Sequence, residues 1–109
     1  PVHVLSNGFA NLQSRKLKSG GIDKYITKLI LSDDIDVTKP DRRLFDYALE
    51  QVGGTPETTV MIGDNYDADI LGANNAGWHT IFFNRKNVVL ETNVADLTVT
   101  RLTDIIAWL

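Results

Sequence analysis

No cysteine stands anywhere in the 109 residues, so disulfides and thiolate zinc sites are excluded, as fits a reducing compartment such as the cytoplasm. Apolar runs are all short. None approaches the roughly 20 residues of a membrane span, and no stretch resembles a signal peptide, so no membrane partner is expected. An excess of positive charge is missing too: the net charge is −3 at pH 7, which leaves no electrostatic footprint for nucleic acid. Any small anion that binds must therefore be attracted locally. What is present is ordinary for a globular domain, 43% hydrophobic and 23% charged.

Four apolar runs punctuate the chain: "VHVL" at 2–5, "KLILS" at 28–32, "TVMIG" at 59–63 and "HTIFF" at 79–83. Each is nearly continuous and rich in branched or aromatic side chains, as strands covered on both faces should be. Helical patterns lie between them. Residues 10–19 are polar and end at Gly20-Gly21; 40–52 begin with Pro40, repeat apolar side chains at Leu44, Ala48, Leu49 and Val52, and stop at Gly53-Gly54; 68–76 end at Gly77; 101–108 close the chain. Strand and helix alternation predicts an α/β fold, an open, mostly parallel, Rossmann-like sheet with flanking helices, in one domain over 1–109. Residues 84–96 read as a loop leading to an edge strand at 96–99.

Ligands of such sheets bind beyond the carboxyl ends of the strands. The first run delivers Ser6, Asn7 and Gly8 there; the second leads through "SDDIDVT" to Lys39 at a helix start; the third delivers Gly63 and Asp64, with Asp67 and Asp69 close behind. Several of these have simple structural uses. Ser6 and Asn7 suit a helix cap, Lys39 a solvated surface, Asp67 the N-cap of helix 68–76, and Asp69 that helix's first turn, where the dipole favours an anion. Asp64 follows the strand directly, before any helix, and a partly desolvated carboxylate is costly without a positive partner. A divalent cation such as Mg2+, a hard ion that keeps most of its waters, suits it. Lys39, Ser6 and the amides after Asn7 would then hold phosphate oxygens on the same rim, a set suited to phosphoryl transfer.

The motifs resemble those of the haloacid dehalogenase-like (HAD) superfamily. "VLSNGF" is similar to its second motif, "SDDIDVTKPDRRLFDYAL" to its third, with the lysine, the proline and Phe45, and "VMIGDNYDADILGANNAG" to its fourth, Gly-Asp, four residues, then Asp. Together they cover nearly the whole chain in the right order, closest in character to bacterial nucleotidases and phosphoglycolate phosphatases. The resemblance implies a Mg2+-dependent phosphohydrolase acting on a small phosphorylated metabolite through an aspartyl-phosphate. It implies that Ser6 bonds the transferring phosphoryl group, Asn7 and Gly8 help seat it, Lys39 neutralises it, Asp64 ligates the metal, and Asp69 supports the metal through water or orients Lys39.

The family's first motif, Asp-x-Asp with a following Thr, has no counterpart after a strand. Asp34-Ile35-Asp36 has the bare spacing but falls in a loop. The expectation is a C-terminal part of the core, preceded in the full protein by the nucleophile and a cap domain, and inactive alone. Loss of that central strand would be made good by an N-terminal segment, a neighbouring chain, or direct pairing of strands 2–5 and 59–63. Two alternatives stand beside this: a non-catalytic, receiver-like phosphate- or metal-binding module, in which the acidic motif would come first rather than last, and a vestigial scaffold fragment. His3 and His79 are expected in core or edge roles on strands rather than as ligands, Trp78 and Trp108 to pack, and Arg15, Lys16, Lys18, Arg42 and Arg43 to be solvated.

Overall fold

A computed structural model describes residues 2–7, 19, 21 and 27–108, with side chains up to Ile105. The expected helix at 10–19, with its basic residues, and the packing of Trp108 lie outside what is described. The chain divides into two compact units, Pro1–Gly53 and Gly54–Leu109.

In the first unit, β1 (His3–Ser6) pairs in parallel with β2 (Lys28–Leu31), Leu5 opposite Ile30 and Ser6 opposite Leu31. A short 3-10 turn, Ser32–Asp34, follows, and then α1, Arg42–Val52. Helix α1 starts two residues later than the sequence pattern predicts. The reason is Asp41, whose carboxylate accepts from the Arg43 backbone N–H at 2.9 Å and makes position 41 the N-cap. At the other end Gly53 adopts φ 66°, a left-handed conformation that glycine reaches without steric cost, and its N–H closes on the Leu49 carbonyl. The Lys28 ammonium donates to the Gln51 carbonyl in the same last turn, where the helix dipole favours a cation. Leu44, Phe45 and Ala48 form the buried stripe of α1, which packs on β2 with its buried Ile30 and Leu31.

In the second unit, β3 (Val60–Gly63), β4 (His79–Phe83) and β5 (Leu97–Val99) form a wholly parallel sheet in sequence order. Between β3 and β4 the chain winds through a π-type segment, Tyr66–Leu71, into the short α2, Gly72–Asn75. A last 3-10 helix spans Leu102–Trp108. Ile81, Val99 and Ile105 form a buried cluster with Phe83 and Leu97 against it, while Ile70 and Ala73 are fully buried from the helical side. Burying such side chains is worth about 1.5–3 kcal/mol each, and it fixes which face of each strand points inward. Trp78 is buried as expected, and His79 Nε2 lies 2.9 Å from the Glu57 carbonyl at the sheet's start.

The α/β, Rossmann-like character with parallel strands and flanking helices is therefore present. Each described ladder stays inside its own unit, so the direct pairing of 2–5 with 59–63 is not among them.

Candidate functional site

In the first unit β1 ends at Ser6, and Asn7 immediately beyond it grips Lys39. The Asn7 Oδ1 accepts from the Lys39 backbone N–H at 2.8 Å, and its Nδ2 donates to the Lys39 carbonyl at 3.4 Å. Lys39 Nζ in turn donates to the Leu5 carbonyl at 3.1 Å, one residue before Ser6. Two segments far apart in sequence are thus joined, with an ammonium beside the hydroxyl-bearing strand end. The sequence assigned Asn7 to seating phosphate; the structure commits its side-chain amide to the backbone of Lys39. Gly8 lies outside the described residues. Asp34 is tied back locally, its Oδ2 accepting from the Leu31 N–H at 3.1 Å and from the Tyr47 hydroxyl at 3.4 Å. Loss of water around the Tyr47 phenol, then the nearby Asp34 carboxylate, pushes its pKa up.

In the second unit the acidic segment is arranged differently from expectation. Asp67 is not the cap. Asn65 is, its Oδ1 accepting from the Ala68 N–H at 3.0 Å, because the helical winding begins two residues earlier than predicted, at Tyr66. Asp69, 5% exposed, turns back under the strand end and accepts the Asn65 N–H on Oδ2 at 3.1 Å. That position explains Gly63: a β-carbon there would stand 2.3 Å from Asp69 Oδ2 and 2.5 Å from its Cβ, so only glycine lets the carboxylate sit beneath the Gly63-Asp64-Asn65 turn. Asp64 is held outward, its side chain 46% exposed, and Arg85 Nε lies 3.3 Å from its Oδ2.

Arg85 is a functional candidate that the sequence reading passed over. It follows β4, and the rule that strand carboxyl ends carry the ligand-binding groups, applied to the fourth apolar run as to the other three, points to Asn84, Arg85 and Lys86. The Asn84 side chain, buried, donates to the Val88 carbonyl and accepts from the Val88 N–H, both at 2.8 Å, which shapes the turn carrying the two cations. Tyr66 fastens the following loop: its hydroxyl donates to the Thr92 carbonyl at 3.1 Å and accepts from the Val94 N–H at 2.9 Å, and its ring meets Phe82 edge-on at 5.3 Å. Between these groups and Asp64 lies a cavity of about 370 Å3.

No group of three or more His, Cys, Asp or Glu side chains suited to a metal is present among the described residues. One outward carboxylate at a strand end nevertheless fits Mg2+, which takes one or two protein carboxylates and completes its shell with water and phosphate. Asp69 accepts the Asn65 N–H in the turn that carries Asp64.

A HAD-hydrolase-like family model matches residues 37–104. Among curated proteins, the chain is 40% identical over 84 residues to the pyrimidine 5'-nucleotidase YjjG of Escherichia coli, covering 76% of the chain and 37% of that protein. It is 38% identical over 101 residues to the glyceraldehyde 3-phosphate phosphatase of Methanothermobacter thermautotrophicus, covering 88% of the chain and 45% of that protein. Among solved structures, a dehalogenase superposes with a TM-score of 0.94 at 26% identity, over 99% of the chain and 48% of that structure. The chain spans less than half the length of each of these relatives. No helix among the described residues is long and apolar enough to cross a membrane.

Proposed function

The chain belongs to the HAD-hydrolase-like family, and on that premise we propose that it is the C-terminal part of the core of a Mg2+-dependent phosphatase acting on a small phosphorylated metabolite. The observation that carries the reading is the Asn7–Lys39 clamp, which sets the Lys39 ammonium against the end of the strand bearing Ser6. An ammonium and a hydroxyl at a strand end are groups suited to phosphoryl oxygens.

In this reading Ser6 donates to the transferring phosphoryl group, Lys39 balances its charge, and the backbone beyond Asn7, including Gly8, helps seat it. Asp64 holds the cation, and Asp69 fixes the turn that presents Asp64. When bound, Mg2+ neutralises charge on the phosphate as it transfers. In this reading the attacking carboxylate, which would carry the aspartyl-phosphate, lies outside residues 1–109: of the two Asp-x-Asp sequences, Asp34-Ile35-Asp36 has Asp34 in contacts with Leu31 and Tyr47, and Asp67-Ala68-Asp69 has Asp69 turned to the Asn65 N–H. In this reading the whole protein is cytoplasmic.

The experiment is turnover of p-nitrophenyl phosphate by the purified 109-residue chain with Mg2+. The reading expects no rate above buffer, because a covalent route without its nucleophile loses most of its acceleration. Turnover that disappears in Asp64→Asn would overturn it.

A further inference from the structure

The Asp64 carboxylate has one ion-pair partner among the described residues, the guanidinium of Arg85, whose Nε lies 3.3 Å from its Oδ2. Topology brings the two together. Strands β3 and β4 run parallel with Gly63 opposite Phe82, so the residues just beyond each strand, Asp64 on one and Arg85 on the other, leave the sheet on the same rim. The backbone carrying Arg85 is fixed on both sides: the Asn84 N–H donates to the Val99 carbonyl at 2.7 Å, the Asn87 N–H closes the turn on the Asn84 carbonyl at 3.1 Å, and the Asn84 side chain ties to Val88 by two 2.8 Å bonds. An anchored turn thus presents Arg85 to Asp64. The pair itself is loose. Its side chains are 59% and 46% exposed, so water screens the attraction and either partner can leave without stranding a buried charge. Lys86, next in sequence and lining the same cavity, makes no ion pair among the described residues. The turn, rather than charge alone, decides which cation takes Asp64.

We propose that Arg85 is a displaceable counter-ion: it neutralises Asp64 while the chain is metal-free and cedes the carboxylate to a divalent cation, which makes Arg85 the residue that sets the site's preference for divalent over monovalent ions. The inference rests on the reading of Asp64 as the cation holder. A monovalent ion offers Asp64 no more charge than the guanidinium, which is tethered and so competes at a high effective concentration. A hard divalent ion carries twice the charge and keeps most of its waters. Once released, Arg85 has solvent and the cavity of about 370 Å3 beside it to occupy. Arg85 touches no reacting atom in this account; it acts through Asp64.

The test follows the Arg85 Nε–H and the backbone amides of the 109-residue chain by NMR while MgCl2 is added at constant ionic strength made up with NaCl. The Arg85 Nε signal should move together with the Asp64 amide, at the same midpoint, toward the position it holds in Asp64→Asn, where Mg2+ should not move it. NaCl or KCl alone should leave it in place. Arg85→Gln should tighten Mg2+ binding about fivefold, the scale of one exposed ion pair, and let Na+ shift the Asp64 amide. Lys86→Gln, which removes an equal charge one residue away, should change Mg2+ affinity less than about twofold. Both residues are exposed, so neither change threatens the fold. Mg2+ that shifts Asp64 while the Arg85 Nε signal stays put, or equal gains in Arg85→Gln and Lys86→Gln, would overturn the counter-ion exchange and leave the metal reading standing. No shift at Asp64 with Mg2+, in the unaltered chain and in Arg85→Gln alike, would remove the metal reading and the exchange with it.

Discussion

The carboxylate of Asp69 lies so close beneath Gly63 that a β-carbon at position 63 would come within 2.3 Å of it. The contact joins the end of β3 to the helical segment after it and leaves Asp64 facing outward. Gly63→Ala should therefore destabilise the chain by about 2 kcal/mol, the usual scale of overpacking, read from urea unfolding. In an Asp69→Ala background the same change should cost much less, since the clashing group is gone.

Asn65, rather than Asp67, caps the helical segment. Asn65→Ala should lower stability by about 1 kcal/mol. Asp67→Ala removes only a charge near the dipole and should cost about 0.3–1 kcal/mol. Denaturation of the two variants side by side checks the order.

Removing one oxygen from Tyr66 isolates its work as a fastener. Tyr66→Phe keeps the edge-on contact with Phe82 but loses the bonds to Thr92 and Val94. Stability should fall by about 1 kcal/mol, and hydrogen exchange should quicken at the Val94 amide while remaining unchanged in α1.

Among the described residues, Asp41 carries the one carboxylate whose titration the structure clearly displaces. Hydrogen bonds from the Arg43 side chain, then its backbone N–H, lower its pKa from 3.8 to about 2. A group depressed on folding stabilises the fold above its unfolded pKa and loses that contribution as pH falls through the folded value. The N-terminus of α1 should hold its capped form at pH 4 and release it progressively toward pH 2. Carboxyl NMR titration should place the Asp41 midpoint near 2, and Arg43→Gln should move it back toward 3.8.

Much of this was legible from pattern alone, and the exceptions have a common cause. Strands 28–32 and 79–83 carry buried apolar side chains at Ile30, Leu31, Ile81 and Phe82, as their continuous apolar pattern predicts, whereas 59–63 buries Met61 and leaves Val60 and Ile62 exposed, against the expectation of cover on both faces. Gly53 marks the end of α1 correctly because a left-handed residue must follow the helix. The starts of the helices were misplaced by two residues, at Arg42 and at Tyr66, because Asp, Asn and neighbouring polar residues all suit a cap and only the formed hydrogen bond chooses among them. Lys39 and Ser6 were legible as residue types at strand and helix ends; the Asn7 bridge that joins their segments was not, since it spans a long stretch of chain. Asp69 looked like a first-turn anion because sequence cannot show that Gly63 opens a space for it. Arg85 was missed although its place after β4 is visible in the sequence, because a loop without periodicity gave no reason to look for its partner Asp64.

The central claim is that Lys39 and Asp64 serve the binding of phosphate with a divalent cation. Thermal unfolding of the 109-residue chain, with Mg2+, inorganic phosphate, both or neither, tests it directly. With Mg2+ saturating and phosphate at about 100 times its dissociation constant, the fold should gain about 2.7 kcal/mol over Mg2+ alone by mass action, and Lys39→Met and Asp64→Asn should each abolish that gain. Identical midpoints under all four conditions, or a shift that both variants retain, would contradict the account.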